Sequence, residues 1–543
     1  MTNKYDHLDR QTLIGLLQRR DAERQLGLVW ERDEIEADKV LNDDFVALSL
    51  DTGLSHGEAP WDNLIIEGDN YDALRALRMT HKGAIRCIYI DPPYNTGNKD
   101  FVYNDRFVDK THRFRHSLWL EFMYRRLQLA KELLADDGVI FVSIDDNEVF
   151  RLGMLMDRVF GEDNFIANVI WQKVYSPKNT AQHFSDDHEY IVVYTKNRNI
   201  WRPMPLPRSA EQDRAYKNRD NDPRGPWKPS DLSARNFYGA GTYSITCPTG
   251  RYIEAPPPGM YWRVSEKKFK ELDGDNRIWW GKDGNNIPAV KRFISEVKQG
   301  VVPQTLWTYA EVGHTQDAKK ELLEVLQFAS SGDVFSTPKP VQLMERILRI
   351  ASKPGDTVLD FFAGSGTFAQ AVAKLNAEDG GNRKFILVSS TEATEDAPDK
   401  NLCRDVCAER VRRVLGGYTN TKGQPVEGLG GGFAYLRTRR IPKHRLALKL
   451  EHAEVWHALQ LLHRLPLSRW PDCGFASDGE LAYLADFRAT HVEQLREWLR
   501  TRTAALAVVY TWSTERLSGL LGEQAADLSL LPLPHHLRAR FGR

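Results

Sequence analysis

The sequence predicts an α/β fold built on one doubly wound, largely parallel sheet and interrupted by a loop-rich insertion. Three observations predict it. After Trp61, short apolar runs that end in a carboxylate alternate with stretches of helical spacing. The same alternation resumes at residue 331. Between them, 171–330 carries prolines at 203, 205, 207, 223, 226, 229, 256, 257 and 258 and many aromatics, with no sustained period.

Taken in order, 1–60 is an N-terminal helical extension. It opens with amphipathic spacing (Leu13, Leu16, Leu17) and passes through a largely acidic stretch, 31–44, that reads as solvated helix and loop. Within 61–170, strands over 63–69 and 85–91 enclose a helix over 71–79. A helix over 118–134, a turn at Asp136-Asp137-Gly138 and a strand over 139–144 repeat the unit. Within 331–427 come a helix over 341–351, a turn at 353–356, a strand over 357–361, a glycine-rich turn, a helix over 368–375 and a strand over 384–388. Two such halves flanking an insertion assemble one sheet. The tail, 428–543, follows a glycine cluster at 428–432. With amphipathic spacing at Val455, Leu459 and Leu462 and a strand over 504–510, it reads as a small separate α/β module.

Composition narrows the function classes. Of 543 residues, 41% are hydrophobic and 27% charged, as in soluble globular proteins of several domains. Lys+Arg and Asp+Glu both total 74, so any nucleic-acid surface has to come from local segregation of charge. Five cysteines (Cys87, Cys247, Cys403, Cys407, Cys473) lack disulfide-framework or metal-ligand spacing, which fits a reducing cytoplasm and no metal. No apolar run approaches the roughly 20 residues a membrane span needs, so a cytoplasmic protein is expected.

Two motifs carry chemistry. In Asp360-Phe361-Phe362-Ala363-Gly364-Ser365-Gly366-Thr367 a strand runs into a turn with glycines two apart before a helix. Glycine there lets backbone approach a ligand at the carboxyl end of a strand, where such sheets bind cofactors. The pattern is neither G-x-G-x-x-G nor a P-loop, and alone it equally fits a tight turn before a packed helix. In Asp91-Pro92-Pro93-Tyr94 two prolines stiffen the backbone after a strand-ending carboxylate. The Asp oxygen and a neighbouring carbonyl can both accept from one amine, and the ring can stack on a planar base. Alone, it also fits a rigid turn.

At these residues the chain resembles the beta group of DNA amino-methyltransferases, in which the D-P-P-Y half precedes the F-x-G-x-G half. It is most similar to the Mod subunits of type III restriction-modification systems. The resemblance extends over 60–415, through Ile66-Glu67-Gly68-Asp69-Asn70, DPPYNTGNKDFVYNDRF (91–107), RHSLWLEFM (115–123), DDGVIFVSIDDNE (136–148) and TPKPVQLMERIL (337–348).

The resemblance implies transfer of a methyl group from S-adenosyl-L-methionine to N6 of a flipped-out adenine in double-stranded DNA. It implies that Asp91, Pro92, Pro93 and Tyr94 orient the amine, and that Asp360 to Thr367 cradle the cofactor. Lys339 lies near the cofactor's methionine portion or is an exposed helix-start lysine; Asp69 partners its adenine; Glu392 binds the ribose hydroxyls. D-P-P-Y favours adenine over N4 of cytosine. The 171–330 insertion, which interleaves Arg and Lys with Trp and Tyr, takes the place of a target-recognition domain; its bland reading is a charged face over an aromatic mini-core. A homodimer and a separate restriction helicase-nuclease subunit are the implied partners, against a solitary methyltransferase or an inactive DNA-binding protein of the same fold.

Overall fold

Ile85, Cys87, Ile88, Tyr89 and Ile90 are all buried, so this strand has no solvent face. It needs a strand on each edge and a helical layer on each side, the environment of a parallel sheet. The computed structural model describes residues 9–22, 30, 44–97, 102–103, 106–107, 115–297, 300–327, 337–393, 397–471, 473–501, 507–526 and 528–542. They form two units, Pro203–Pro303 and the remainder of the chain.

The remainder is organised on a ten-stranded sheet: β1 Phe45–His56, β2 Asn63–Glu67, β3 Ile85–Ile90, β4 Leu134–Ile144, β5 Phe165–Gln172, β6 His188–Thr195, β7 Leu306–Trp307, β8 Thr357–Asp360, β9 Lys384–Ser389 and β10 Phe433–Ile441. Their order is β1-β10-β2-β9-β8-β3-β4-β6-β5-β7. The six strands from β10 to β4 are mutually parallel. β1 is antiparallel to β10, and β6 to both β4 and β5. At the centre β9 and β8 of the second half sit between β2 and β3 of the first, so the chain forms the permuted, doubly wound α/β sheet that its sequence predicts.

Helices α1 Arg10–Ala22, α2 Asn70–His81, α3 Arg115–Leu133, α4 Val149–Phe160, α5 Val341–Ala351, α6 Thr367–Asp379 and α7 Glu409–Gly416 accompany it. α2, α3 and α4 pack on one another, as do α5, α6 and α7. α2 starts where it does because Asp69 caps it, accepting from the backbone N–H of Tyr71 and Asp72 at 2.9 and 3.3 Å. α5 is held by a buried stripe at helical spacing, Leu343, Met344, Ile347, Leu348 and Ile350.

Tertiary pairing moves several expected boundaries. Strand β1 lies within the stretch read as a helical extension, and β10 within the stretch read as a separate tail. They pair with each other across nearly 400 residues (Phe45 opposite Ile441), a contact with no local signature. The turn expected at Asp136-Asp137-Gly138 is an irregularity inside β4: Leu134 faces Ile85, but Val139 already faces Cys87. β5 and β6 take Phe165–Gln172 and His188–Thr195 into the large sheet, and the second unit begins at Pro203 rather than 171 and ends at Pro303 rather than 330.

That unit has its own core of Leu232, Ile245, Cys247, Trp262, Phe269, Ile278 and Trp280. Trp227 is fully buried beside Trp279, and Lys291 is buried against Asp220 and Asp222. Several of its cations are consumed internally, Arg208 by Asp213, Arg224 by Asp222 and Lys268 by Glu271. The mini-core reading therefore holds for these tryptophans.

The tail builds a four-stranded sheet from Phe475–Asp478, Leu481–Leu484, Ala507–Thr511 and Leu528–Pro532. It is less separate than expected, because Tyr483, Tyr510, Leu537 and Phe541 join the main core and the Phe541 ring meets that of Phe45 at 4.7 Å. Residues 31–43 of the acidic stretch and 504–506 of the expected strand lie outside the described residues, as do parts of the 91–107 motif. Among the described residues no helix is long and apolar enough to cross a membrane.

Candidate active site

Parallel strands place their carboxyl ends on one rim. Asp69 follows β2, Asp91 follows β3, Asp145 follows β4, Asp360 ends β8 and Ser389 ends β9. β6 runs the other way and pairs Tyr190 with Ile144, so its first residues, His188 and Glu189, reach the same rim. β5 delivers Trp171 opposite Glu189, with Lys173 just beyond.

The ledge after β3 is rigid. Trp119 donates its indole N–H to the Pro93 carbonyl at 2.7 Å, while the Pro92 carbonyl accepts no hydrogen bond among the described residues. Asn95 is buried with φ 57°, a left-handed conformation that asparagine tolerates. Its amide donates to the fully buried Glu148 at 2.5 Å, and His116 lies 2.5 Å from the same oxygen.

Asp91 and Tyr94 meet Lys339 and Glu189 in one cluster. The Tyr94 hydroxyl lies 2.8 Å from Asp91 Oδ1 and 2.9 Å from Glu189 Oε2. Lys339 Nζ lies 3.0 Å from Asp91 Oδ1, 2.8 Å from the Tyr94 oxygen and 3.1 Å from Glu189 Oε2. Its three protons are thereby all committed, and the lysine is buried (8% exposed), which rules out the exposed helix-start reading. Lys173 Nζ approaches the other Glu189 oxygen at 3.4 Å.

The charges follow from this geometry. Burial lifts the Asp91 carboxyl above its ordinary range; Lys339 pulls it down and Glu189 pushes it up. Burial also works against charge on Glu189, but Lys339 and Lys173 hold its carboxyl below the ordinary value. Lys339 keeps its proton because the two carboxylates outweigh its burial. Asp91 is thus the member of the cluster closest to titrating.

At the end of β8, burial lifts Asp360 well above the usual carboxylate range, against the N–H of Phe362 at 2.9 Å; the charge of Asp91 adds to the lift. The turn that follows uses left-handed glycines, Gly364 (φ 50°) and Gly366 (φ 75°). A Cβ on Gly366 would sit 3.0 Å from the Cys407 carbonyl oxygen. Arg410, fully buried, ties the turn by donating to Ser365 at 3.1 Å, Thr367 at 2.6 Å and Gln370 at 2.8 Å. Burial lowers its guanidinium to about 10.

Across the rim Asn70 donates to the Phe361 carbonyl at 3.0 Å. The second Asp69 oxygen accepts from Arg126 at 3.1 Å, and that guanidinium covers the Phe122 ring at 3.6 Å. Phe122 in turn neighbours Phe362. Glu392 stands apart from these groups: it is exposed three residues past β9, and its carboxylate pairs with Lys400 at 2.9 Å.

Of the residues singled out from sequence, Asp91, Tyr94 and Lys339 share one cluster, and Asp69 and the 360–367 turn lie on the same rim. Sequence reading missed Glu189, Glu148, Arg126 and Arg410. Glu189 had a usable signal, a carboxylate at the start of the apolar run Tyr190-Ile191-Val192-Val193-Tyr194. The run reaches the rim only because its strand is antiparallel.

A doubly wound sheet whose rim joins an Asp-Pro-Pro-Tyr ledge to a glycine turn defines an α/β methyltransferase fold. The DNA methylase family model matches residues 85–394, more than half of the chain, and the chain belongs to that family. It is 37% identical over 381 residues to the Mod subunit of the StyLTI type III restriction-modification enzyme of Salmonella typhimurium, covering 65% of this chain and 57% of the relative. It is 34% identical to the EcoPI Mod subunit of Escherichia phage P1 (61% and 58% covered) and 32% identical to the type II methyltransferase M.KpnI of Klebsiella pneumoniae (60% and 79%). The match thus spans less than two thirds of the length of these Mod subunits.

The family's methyl donor is S-adenosylmethionine, and the residues present fit it. Phe362 and Gly364 of the turn are partly exposed at the rim, while Gly366 is buried against Cys407 and Val411; Asp360 and Asp69 supply acceptors, and Phe122 and Phe362 supply apolar surface.

Proposed function

We propose that this chain transfers a methyl group from S-adenosylmethionine to N6 of adenine in double-stranded DNA, as the modification subunit of a type III restriction-modification system. The observation that carries the reading is the placement of the Asp91 carboxylate and the Pro92 carbonyl, which is unengaged among the described residues, at the end of β3, next to the glycine turn at the end of the neighbouring strand β8.

The adenine amine is a poor nucleophile because its lone pair is delocalised into the ring, so positioning has to dominate. Accepting both amine protons, Asp91 and the Pro92 carbonyl favour a pyramidal nitrogen with its lone pair aimed away from them. Bound S-adenosylmethionine supplies an electrophilic methyl on sulfur, which Asp69, the 360–367 turn and the rim aromatics would hold. Tyr94 offers a ring for the flipped base, offsetting part of an unstacking cost of a few kcal/mol. Neither a protein nucleophile nor a metal is assigned a role; Cys87 is buried, and burial pushes its thiol up.

The 203–303 unit is assigned to target reading, supported by its exposed Phe237, Tyr238 and Tyr252. A homodimer and a restriction subunit are the proposed partners, and a cytoplasmic location fits the five unpaired cysteines. A second reading, a type II methyltransferase that needs no restriction subunit, is favoured by the 79% coverage of M.KpnI. Long-read sequencing of DNA from cells expressing the protein, against an Asp91→Ala control, tests the activity. N6-methyladenine at one recurring motif, absent with the variant, is expected; identical methylation in both would sink the assignment. Co-purification with, or independence from, a helicase-nuclease separates the two readings.

A further inference from the structure

The mechanism above leaves Glu189 without a role, yet it is one of the most buried carboxylates of the rim and comes from β6, a strand antiparallel to both its neighbours. Asp91 Oδ1 already receives the Tyr94 hydroxyl and the Lys339 ammonium, while no partner is found for Asp91 Oδ2 among the described residues. A carboxylate locked one-to-one to a buried ammonium is a weaker acceptor for a further donor, because the cation drains the charge that the amine must find. Glu189 prevents that lock: its Oε2 takes a share of the same ammonium at 3.1 Å and lies 2.9 Å from the same hydroxyl. Lys173 at 3.4 Å secures Glu189 from its other oxygen.

We infer that Glu189 is a positioning residue for this reaction, dividing Lys339 and Tyr94 with Asp91 so that Asp91 keeps its acceptor strength for the target amine. The inference rests on the methyltransferase reading. It makes Lys339 an element of the amine site, where the resemblance alone had assigned it to the cofactor's methionine end. Tyr94 is held by the same division, its hydroxyl oxygen receiving Lys339 and its proton facing two carboxylates, which fixes the position of the hydroxyl end of the ring.

The charged and titratable groups facing Asp91 are Tyr94 on its own loop, Tyr89 on β3, Asp360 on β8, Glu189 on β6 and Lys339 before α5; Lys173 and Asp145 face Glu189 in turn. Of these, Glu189 raises Asp91 and Lys339 lowers it. Activity requires ionised Asp91, so it falls on the acid side as pH drops through the Asp91 value. Removing the negative charge at 189 lowers that value and moves the acid limb to lower pH; removing the positive charge at 339 moves it to higher pH.

The test is the pH-rate profile of DNA methylation by the full chain, for wild type, Glu189→Gln, Glu189→Asp and Lys339→Met. S-adenosylmethionine affinity is measured on each by equilibrium dialysis. Glu189→Gln is expected to shift the acid limb down and Lys339→Met to shift it up, each by roughly one pH unit. Glu189→Gln should lose plateau rate while cofactor affinity stays within about twofold, and Glu189→Asp should recover part of it. If Glu189→Gln does not fold, Lys173→Met carries the test, since loss of that cation strengthens the field of Glu189 on Asp91 and moves the limb upward. An acid limb common to wild type and both charge variants overturns the inference, as does loss of cofactor affinity in step with activity. Absence of methylation by the wild type would instead overturn the enzyme reading beneath it.

Discussion

At the scale of single residues, the ledge after β3 is held by contacts to groups that sequence order does not bring near. Trp119 is fully buried and spends its indole N–H on the Pro93 carbonyl. Trp119→Phe orphans that carbonyl and leaves a void where the second indole ring sat, at a combined cost of roughly 2–4 kcal/mol. The expected outcome is a lower chemical-denaturation midpoint with an unchanged denaturant slope, together with a fall in methylation rate greater than the loss of folded protein. A variant as active as wild type would show that the ledge needs no such brace. Asp91 and Tyr94 were legible from sequence because two prolines after a strand-ending carboxylate are unusual. Glu189 carried only the signal of a carboxylate heading an apolar run, and Glu148 none, because a carboxylate in or beside an apolar strand declares its partner only once the strands are assembled.

At the scale of elements, the turn between β8 and α6 is where local sequence and tertiary packing agree. Gly366 is left-handed and backed by the Cys407 carbonyl, so Gly366→Ala pays both a conformational cost of about 1–2 kcal/mol and a close contact. It is expected to weaken S-adenosylmethionine binding at least tenfold, read by isothermal titration, while far-ultraviolet circular dichroism stays native. Unaltered affinity would place the cofactor away from this turn. The helices and strands of both halves were read nearly to their ends, as with α5 at Val341–Ala351, because amphipathic spacing and fully apolar strands are local signals. The turn expected at 136–138 went wrong for the opposite reason: Asp-Asp-Gly is turn-like, but the edge of β3 holds it as an irregularity inside β4.

At the scale of the whole molecule, the chain separates chemistry from a second body. The large sheet carries the rim, and the 203–303 unit folds on its own core. Replacing 203–303 with the corresponding segment of a relative is expected to change the methylated motif without abolishing methylation, read by long-read sequencing. Retention of the original motif would move target reading elsewhere in the chain.

What the sequence by itself determined is the class of fold and the identity of its two motifs, since both are written in residues a few positions apart: an apolar strand, then prolines or glycines that restrict or free the backbone. What only the tertiary structure decided is which distant residues complete them. β1 and β10 close one edge of the sheet from stretches read as extension and tail. An antiparallel β6 brings Glu189 to Asp91 and Tyr94, and the segment before α5 brings Lys339 from nearly 250 residues away. The physical reason is that hydrophobic periodicity specifies each element and its buried face, whereas the order and direction of strands come from how those faces are shared, and the charges of a site follow that order.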